Sequence, residues 1–156
     1  MKDHSVREEL VQHASRLIRR RGYNGFSYRD LGDLVGVKTS SIHYHFPAKG
    51  DLVFEVMRQY SEMSSLQLNA INADLPLVEQ ANQHMHSLRY DITLNEICLA
   101  GMLPADVLDL PDAVRLQLRA YFEMHEQWLD ALLQRAVPER GQAYPVPTLA
   151  FAKETE

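Results

Sequence analysis

Residues 27–49 contain two short helical patterns separated by a glycine, and this arrangement constrains the fold more than any other part of the chain. Ser27 with Asp30 three residues later forms a capping-box pattern, so a helix is predicted to begin there. Gly36 supplies the backbone freedom that a tight turn requires, and a second short helix is predicted after it. Apolar residues on both sides of the turn recur at helical spacing: Leu31, Leu34, Val35, Val37, Ile42 and Phe46.

The outward face of the second helix carries hydroxyl and imidazole groups and no carboxylate. A helix that enters the major groove of DNA needs short donors near its N-terminus for base edges and longer donors at its flanks for phosphates. The pattern therefore suits nucleic acid, although the same spacing also occurs in helical hairpins whose polar face is only solvated. The residues on this face are Thr39, Ser40, Ser41, His43, Tyr44 and His45.

Charge is distributed unevenly along the 156 residues of the chain. Residues 1–50 hold nine Lys and Arg against five Asp and Glu, whereas residues 51–156 hold seven against sixteen. A basic segment at one end of an otherwise acidic chain indicates a nucleic-acid surface at that end. The net charge of −5 therefore does not argue against nucleic-acid binding.

Composition favours a globular cytoplasmic protein, with 46% hydrophobic and 24% charged residues. No run approaches the roughly 18 apolar residues of a transmembrane helix, and the N-terminus lacks the apolar segment of a secretory signal. Cys98 is the single cysteine, so an internal disulfide is excluded. We therefore expect a cytoplasmic location without membrane association.

Apolar periodicity predicts further helices on both sides of the central motif. Ser5 is the predicted N-cap of the first helix, and Pro138 is predicted to end the last one. These helices are predicted over residues 6–21, 49–70, 76–90, 98–103 and 111–136. The helix at 49–70 links the motif to the rest of the chain, and its inward residues are predicted to be Leu52, Val53, Val56, Tyr60, Met63 and Leu66.

The central motif and its flanks resemble the signature of the TetR family of bacterial transcriptional repressors. The resemblance implies an all-α fold, in which an N-terminal three-helix helix-turn-helix domain continues through a linking helix into a helical ligand-binding and dimerisation domain. The residues that carry it are the run from Gly25 to Leu31, followed by Val37, Ile42, Tyr44, His45, Phe46 and Lys49. The implied division is a DNA-binding domain at 1–48, with its motif at about 27–46 and the family signature at about 6–64, a regulatory domain at 49–138 and an irregular tail at 139–156.

The resemblance also implies a function, namely a ligand-responsive repressor that binds a palindromic double-stranded DNA operator as a homodimer. Contacts to base edges are then expected from Thr39, Ser40, Ser41 and His43. Contacts to phosphates are expected from Ser27, Tyr28, Arg29, Tyr44, His45 and Lys49.

A pocket for a small apolar or aromatic effector is implied by the same resemblance in the second part of the chain. Aromatic and methionine residues at helical spacing are also common in plain cores. Cys98 is in addition a candidate sensor of oxidants or electrophiles, as in some TetR relatives, although a buried thiol is usually inert packing. The candidate pocket residues are Met63, Met85, Tyr90, Cys98, Met102, Tyr121, Phe122, His125 and Trp128.

Two other classes of function are alternatives to the homodimeric repressor. The long helices through which the family normally dimerises are not readable after Pro138, so the C-terminus looks shortened. A shortened partner that pairs with a full-length relative and modulates it would fit this pattern. An enzyme ranks third, because we find no nucleophile with a base and no glycine-rich phosphate loop, and no catalytic residue or cofactor is expected.

A metal site is not expected either. Two histidine pairs, His43 with His45 and His84 with His86, are spaced so that their side chains point apart around a helix. Glu79 and His125 stay open as distant partners for the second pair.

Overall fold

The computed structural model describes residues 2–90 and 97–140, with side chains at 5–88 and 97–136. Helices and turns without a strand make up this part of the chain, which confirms the predicted all-α fold. The helices are α1 (Lys2–Arg21), α2 (Tyr28–Val35), α3 (Thr39–His45), α4 (Lys49–Asn69), α5 (Leu77–Tyr90), α6 (Leu99–Met102) and α7 (Asp112–Arg140). A 3-10 segment, Leu103–Asp106, follows α6 directly.

Helices α1, α2 and α3 share one apolar core at the N-terminal end. Leu10 and Ile18 of α1 are fully buried in the same cluster as Leu31 of α2 and Ile42 of α3. Burial of each such side chain contributes about 1.5–3 kcal/mol. Because helices as short as α2 and α3 are marginal alone, this shared core is what makes them form.

Helix α4 joins this unit to the rest of the molecule, because it packs against α1 and also against α7. Its residues Leu52, Val53 and Met57 are fully buried, and the same core continues to Leu103 and Val114. The core is therefore continuous across the predicted domain boundary at 48/49, and that boundary stays a prediction. Any displacement of α4 would be felt on both sides of it.

Two predicted helix ends are wrong. Ser5 lies inside α1, which begins at Lys2, and its hydroxyl donates to Glu9 over 3.3 Å. Apolar periodicity reports only residues that face the core, so it does not locate the extra turn before Val6. Likewise α7 continues through Pro138 to Arg140, because the loss of one backbone donor does not have to end a long helix.

The inward stripe of α4 differs from the predicted one in its second half. Met63 is 57% exposed and Leu66 is 65% exposed, whereas Ser64 and Leu68 are buried. The stripe thus continues at four-residue spacing from Val56 instead of shifting to three-residue spacing, and it turns a serine inward. This rotation places a polar group against α5 and α7.

Two predicted segments lie outside the described residues. The first part of the apolar segment at 92–103 belongs to residues 91–96, and the described helix begins only at Leu99. The predicted tail at 139–156 begins with two helical residues of α7, and its remainder from 141 onward lies beyond the described part.

Candidate nucleic-acid interface

The predicted capping box at the start of α2 is present. The Ser27 hydroxyl oxygen accepts the Asp30 backbone N–H at 3.3 Å, and the Asp30 carboxylate accepts the Ser27 backbone N–H at 2.7 Å. The hydrogen bond from the Ser27 side chain lowers the pKa of Asp30. Gly36 ends α2 with φ of 77°, a left-handed conformation that favours glycine. These local devices fix the turn that sets α3 against α2.

Helix α3 turns its apolar residues inward and its polar residues outward, as predicted. Ile42 is fully buried, Phe46 just after the helix is 3% exposed, and Tyr44 is 76% exposed. We call the outward set, Thr39, Ser40, His43 and Tyr44, the reading face, and all four are exposed. Ser41 and His45, at the edges of this face, are half-buried. The reading face carries hydroxyls, an imidazole and a phenol, and no acidic group.

The residues predicted for phosphate contacts fall into two groups. Ser27 and Arg29 are exposed beside the reading face. Tyr28 is half-buried, and its hydroxyl donates to the Phe46 carbonyl over 2.9 Å. Its ring also packs edge-to-face on His43, with 4.9 Å between centroids, and burial raises the pKa of Tyr28. Tyr28 therefore ties α2 to the end of α3, and a role at phosphate stays a prediction.

Lys49 holds the backbone between α1 and α2. Its ammonium group donates to the carbonyls of Tyr23 and Phe26, both at 2.5 Å, and lies 4.7 and 4.2 Å from the centroids of their rings. Burial lowers the pKa of Lys49. The phosphate contact predicted for Lys49 is untested, whereas its structural role at the start of α4 follows directly from these distances.

The same backbone segment is held from its other side by Asp106, at the end of the 3-10 segment. We call residues 22–26 the junction turn. One Asp106 carboxylate oxygen accepts the backbone N–H of Tyr23 at 2.7 Å and that of Asn24 at 3.3 Å, and the other accepts the Asn24 side-chain amide at 3.2 Å. Gly22 has φ of 75°, and a Cβ there would lie 2.6 Å from Asp106 Oδ2. The junction turn thus needs both the backbone freedom and the small size of glycine.

A buried carboxylate binds α1 to α4 beside this unit. Glu55 is 9% exposed and accepts hydrogen bonds from Arg58 at 2.8 and 2.9 Å, from Gln59 at 2.9 Å and from Arg7 at 3.4 Å. These bonds, above all the one from Arg58, lower the pKa of Glu55 to about 2. The sequence predicted neither this network nor the role of Asp106. Their partners lie up to 85 residues apart in the chain, so no local pattern reveals them.

Part of the predicted effector pocket is assembled between α4, α5 and α7. The Tyr60 and Tyr121 rings lie 5.3 Å apart, and the Tyr60 hydroxyl donates to Cys98 Sγ over 3.5 Å. His84 stacks on His125 at 5.2 Å, and burial lowers the pKa of both, that of His125 to about 4. The aromatic and imidazole groups are therefore together, and both imidazoles are neutral at pH 7.

The other predicted pocket residues are distributed differently. Trp128 packs on His84 at 4.8 Å, and Tyr121 packs on His125 at 4.5 Å. Met85 and Phe122 are 50% and 41% exposed, and Met102 lies beside Gly22, at the junction turn. The side chain of Tyr90 lies outside the described residues. Met63 and His125 line a cavity of about 130 Å³, whose other walls include Arg19 of α1 and Ser64 of α4.

Two kinds of site are not found in the described part of the chain. Residues 2–90 and 97–140 contain no group of three or more His, Cys, Asp or Glu side chains arranged to hold a metal ion. Within the same ranges, none of the helices combines the length and the apolar character needed to cross a bilayer.

Comparisons with known proteins match both the motif and the fold. A family model described as bacterial regulatory proteins, tetR family, matches residues 10–56, which contain α2, α3 and the start of α4. The HTH-type transcriptional repressor KstR2 of Mycolicibacterium smegmatis is 36% identical over 56 residues, which are 36% of this chain and 27% of that repressor. This match therefore spans about a quarter of the length of KstR2.

Similarity to solved structures extends much further along the chain. A TetR-family transcriptional regulator from Agrobacterium tumefaciens has a TM-score of 0.85 and 30% identity, and the match covers 97% of this chain and 81% of that one. The structure of AibR in complex with isovaleryl coenzyme A and operator DNA, at 19% identity, shares the fold with a TM-score of 0.74 over 92% of this chain and 77% of AibR. Because the Agrobacterium match combines 30% identity with coverage of most of both chains, this chain belongs to the TetR family of bacterial regulatory proteins.

Proposed function

We propose that this member of a family of DNA-binding transcriptional regulators is a repressor that binds a palindromic operator as a dimer and releases it when a small molecule binds in its helical body. The observation that carries the proposal is the reading face, an exposed set of donors free of carboxylates on a helix anchored by Ile42 and Phe46. Repression is supported by similarity to KstR2, which is named a repressor.

In this proposal the reading face enters the major groove. Thr39, Ser40 and His43 address base edges, and Ser41 contributes from the edge of the face. His43 has Nδ1 at 3.1 Å from the Pro47 carbonyl, so when Nδ1 carries the proton, Nε2 is an acceptor for a base amino group. Tyr44 and His45 address the phosphates on one side.

Phosphates on the other side are contacted by Ser27, Arg29 and the backbone amides at the start of α4, while Tyr28 and Lys49 hold these groups in place. Dimerisation follows from the geometry of DNA, since two reading faces must lie about 34 Å apart to meet one side of the duplex. The release of DNA by an effector is supported by the fold shared with AibR, whose structure contains both isovaleryl coenzyme A and operator DNA.

Binding of the full chain to DNA from the region upstream of its own gene tests the interface. Fluorescence anisotropy at several salt concentrations gives both the affinity and its salt slope. Arg29→Gln should weaken binding to all sequences equally and reduce the slope by about one. Ser40→Ala should instead change the ranking of operator variants, because it removes a group that addresses a base.

Arg119→Gln is the matched control, because Arg119 is an exposed arginine on α7, away from the reading face. It should leave affinity and slope unchanged. Lys49→Gln separates its two possible roles: a reduced slope assigns it to phosphate, and a lower melting temperature with an unchanged slope assigns it to the junction turn. The proposal fails if Arg29→Gln and Ser40→Ala both bind DNA as the unaltered chain does.

A further inference from the structure

We infer that the cavity between α1, α4, α5 and α7 binds a small carboxylate ion, held by Arg19, His125 and the polar side chains beside them. The inference names the class of effector for the ligand response proposed above and rests on that proposal for its biological role. It also differs from the sequence-based expectation of an apolar or aromatic effector.

The walls of the cavity are mostly polar. Arg19, Ser64, Gln67 and His125 offer a guanidinium, a hydroxyl, an amide and an imidazole, and none of the side chains that line the cavity is acidic. Met63 and Leu88 supply an apolar part. A wall with a permanent cation, several neutral donors and one apolar side complements a carboxylate that carries a short hydrocarbon chain.

Unpartnered buried nitrogens point to a ligand at this place. Both ring nitrogens of His125 are buried and have no hydrogen-bond partner among the described residues. His84, which stacks on His125 at 5.2 Å and is 2% exposed, has a buried Nδ1 in the same condition. A buried polar group without a partner is costly, so such groups usually meet one when the site is occupied.

Size restricts the ligand further. The cavity measures about 130 Å³, which corresponds to the liquid volume of about four water molecules and suits an acid of about four or five non-hydrogen atoms. Met63 is 57% exposed and therefore lies where the cavity approaches solvent. Acids much longer than propionate or butyrate would have to displace Met63 or Leu88.

Arg19 makes the site relevant to DNA binding. It belongs to α1, within the DNA-binding part of the chain, and its guanidinium lies 5.6 Å from the ring centroid of Tyr60 on α4. Three residues further on, α1 ends at the junction turn that Asp106 and Lys49 hold. A carboxylate bound to Arg19 would therefore act on α1 directly, in addition to any effect through α4.

Titration of the full chain, labelled with 15N at histidine, with sodium propionate tests the site. Propionate should shift the imidazole resonances of His125 and reach saturation. Propionamide, which has the same shape without the charge, should bind about tenfold more weakly, because charge-assisted hydrogen bonds are the stronger ones. Affinity should fall again for acids longer than pentanoate.

Matched variants assign the charge. Arg19→Gln should weaken propionate about tenfold and leave propionamide unchanged, since only the ion uses the guanidinium charge. Arg19→Lys should retain most of the preference for propionate, which guards against a variant that merely misfolds. Arg16→Gln removes an exposed charge from the same helix and should change neither affinity.

The inference is overturned if propionate leaves His125 unshifted, as a cavity that holds only water would predict, or if propionate and propionamide bind equally well. Operator binding measured on the same samples separates this result from the function proposed above. If propionate binds His125 but DNA is not released, the ligand class holds and the ligand response fails. If propionate does not bind and another metabolite releases DNA, the ligand class is wrong and the ligand response holds.

Discussion

The DNA-reading unit and the helical body treat their polar groups in opposite ways. In the unit, the Tyr28 hydroxyl, the Lys49 ammonium and the Asp30 carboxylate all have partners at 2.5–2.9 Å. In the body, His84 and His125 keep buried ring nitrogens without a partner in the described residues. A buried polar group left without a hydrogen bond costs about 1–3 kcal/mol.

This difference indicates which half of the molecule is built to respond. The reading unit already has its hydrogen bonds, so it holds one geometry. The body carries an unfavourable term that a ligand with matching donors and acceptors can remove, and a ligand shifts a conformational equilibrium only through such differential interaction. Sensing therefore belongs to the body, and recognition belongs to the reading unit.

The junction turn is where the two halves meet, and it should show the largest effect of a single substitution. Asp106→Ala removes three hydrogen bonds to Tyr23 and Asn24 and leaves two backbone N–H groups without their acceptor. We expect the free energy of unfolding to fall by about 3 kcal/mol. Affinity for the operator should fall as well, because the end of α1 is then free to move relative to α2. Urea unfolding and anisotropy measure the two effects.

Asp33→Ala is the control for this substitution, since Asp33 is an exposed carboxylate on α2. It should alter stability far less. A variant at Asp106 that keeps full operator affinity would show that the body does not position the reading unit through this turn, and the comparison between the halves would then need another link.

Local chemistry explains why so much of the reading unit is predictable from sequence. The capping box of Ser27 and Asp30, the left-handed Gly36 and the inward Ile42 all act within a few residues of one another. Each therefore leaves a pattern that periodicity and capping rules detect. The all-α fold and the bounds of α2 and α3 follow from the same short-range signals.

The contacts that join the halves leave no such pattern. Asp106 lies more than 80 residues from the junction turn, and Arg7 lies 48 residues from Glu55. Met63 was predicted to face inward because three- and four-residue spacings both fit an apolar stripe, and only packing against α7 decides between them. Likewise the unpartnered imidazoles could not be predicted, since satisfaction is a property of the surroundings of a residue.

Acid should weaken the attachment of α1 to α4 through Glu55. Its pKa is about 2 in the folded chain, below the ordinary 4.5, so its stabilisation is complete above pH 4.5 and is lost as the pH falls from there towards 2. We expect this group to account for about 2 kcal/mol of that loss, after allowance for the solvent screening of Arg7 and Arg58. The difference between the unaltered chain and Glu55→Gln, followed by urea unfolding from pH 6 to pH 3, isolates this contribution.

Glu62→Gln is the matched control, since Glu62 pairs with Arg58 on the exposed side of the same helix. Its stability profile should run parallel to that of the unaltered chain. If Glu55→Gln also runs parallel, Glu55 is not stabilised by its arginines in the way that the hydrogen bonds suggest.

The smallest expected effects test the contrast itself, because they should have opposite signs. Tyr28→Phe keeps the ring on His43 and removes only the hydroxyl that donates to the Phe46 carbonyl, so stability should fall by about 1 kcal/mol. His125→Leu replaces unpartnered nitrogens with an apolar side chain of similar size. It should raise stability by about 0.5 kcal/mol, the relief of the buried nitrogens being partly offset by lost ring contacts with His84 and Tyr121.

Thermal unfolding of the two variants beside the unaltered chain decides the matter, with circular dichroism to confirm that the helical content is kept. Equal losses in both variants would mean that His125 is as well satisfied as Tyr28, and the body would then have no reserve of hydrogen bonding for a ligand to use. A gain in His125→Leu together with a loss in Tyr28→Phe would place the responsive chemistry in the body, since only there does removing a polar group improve the fold.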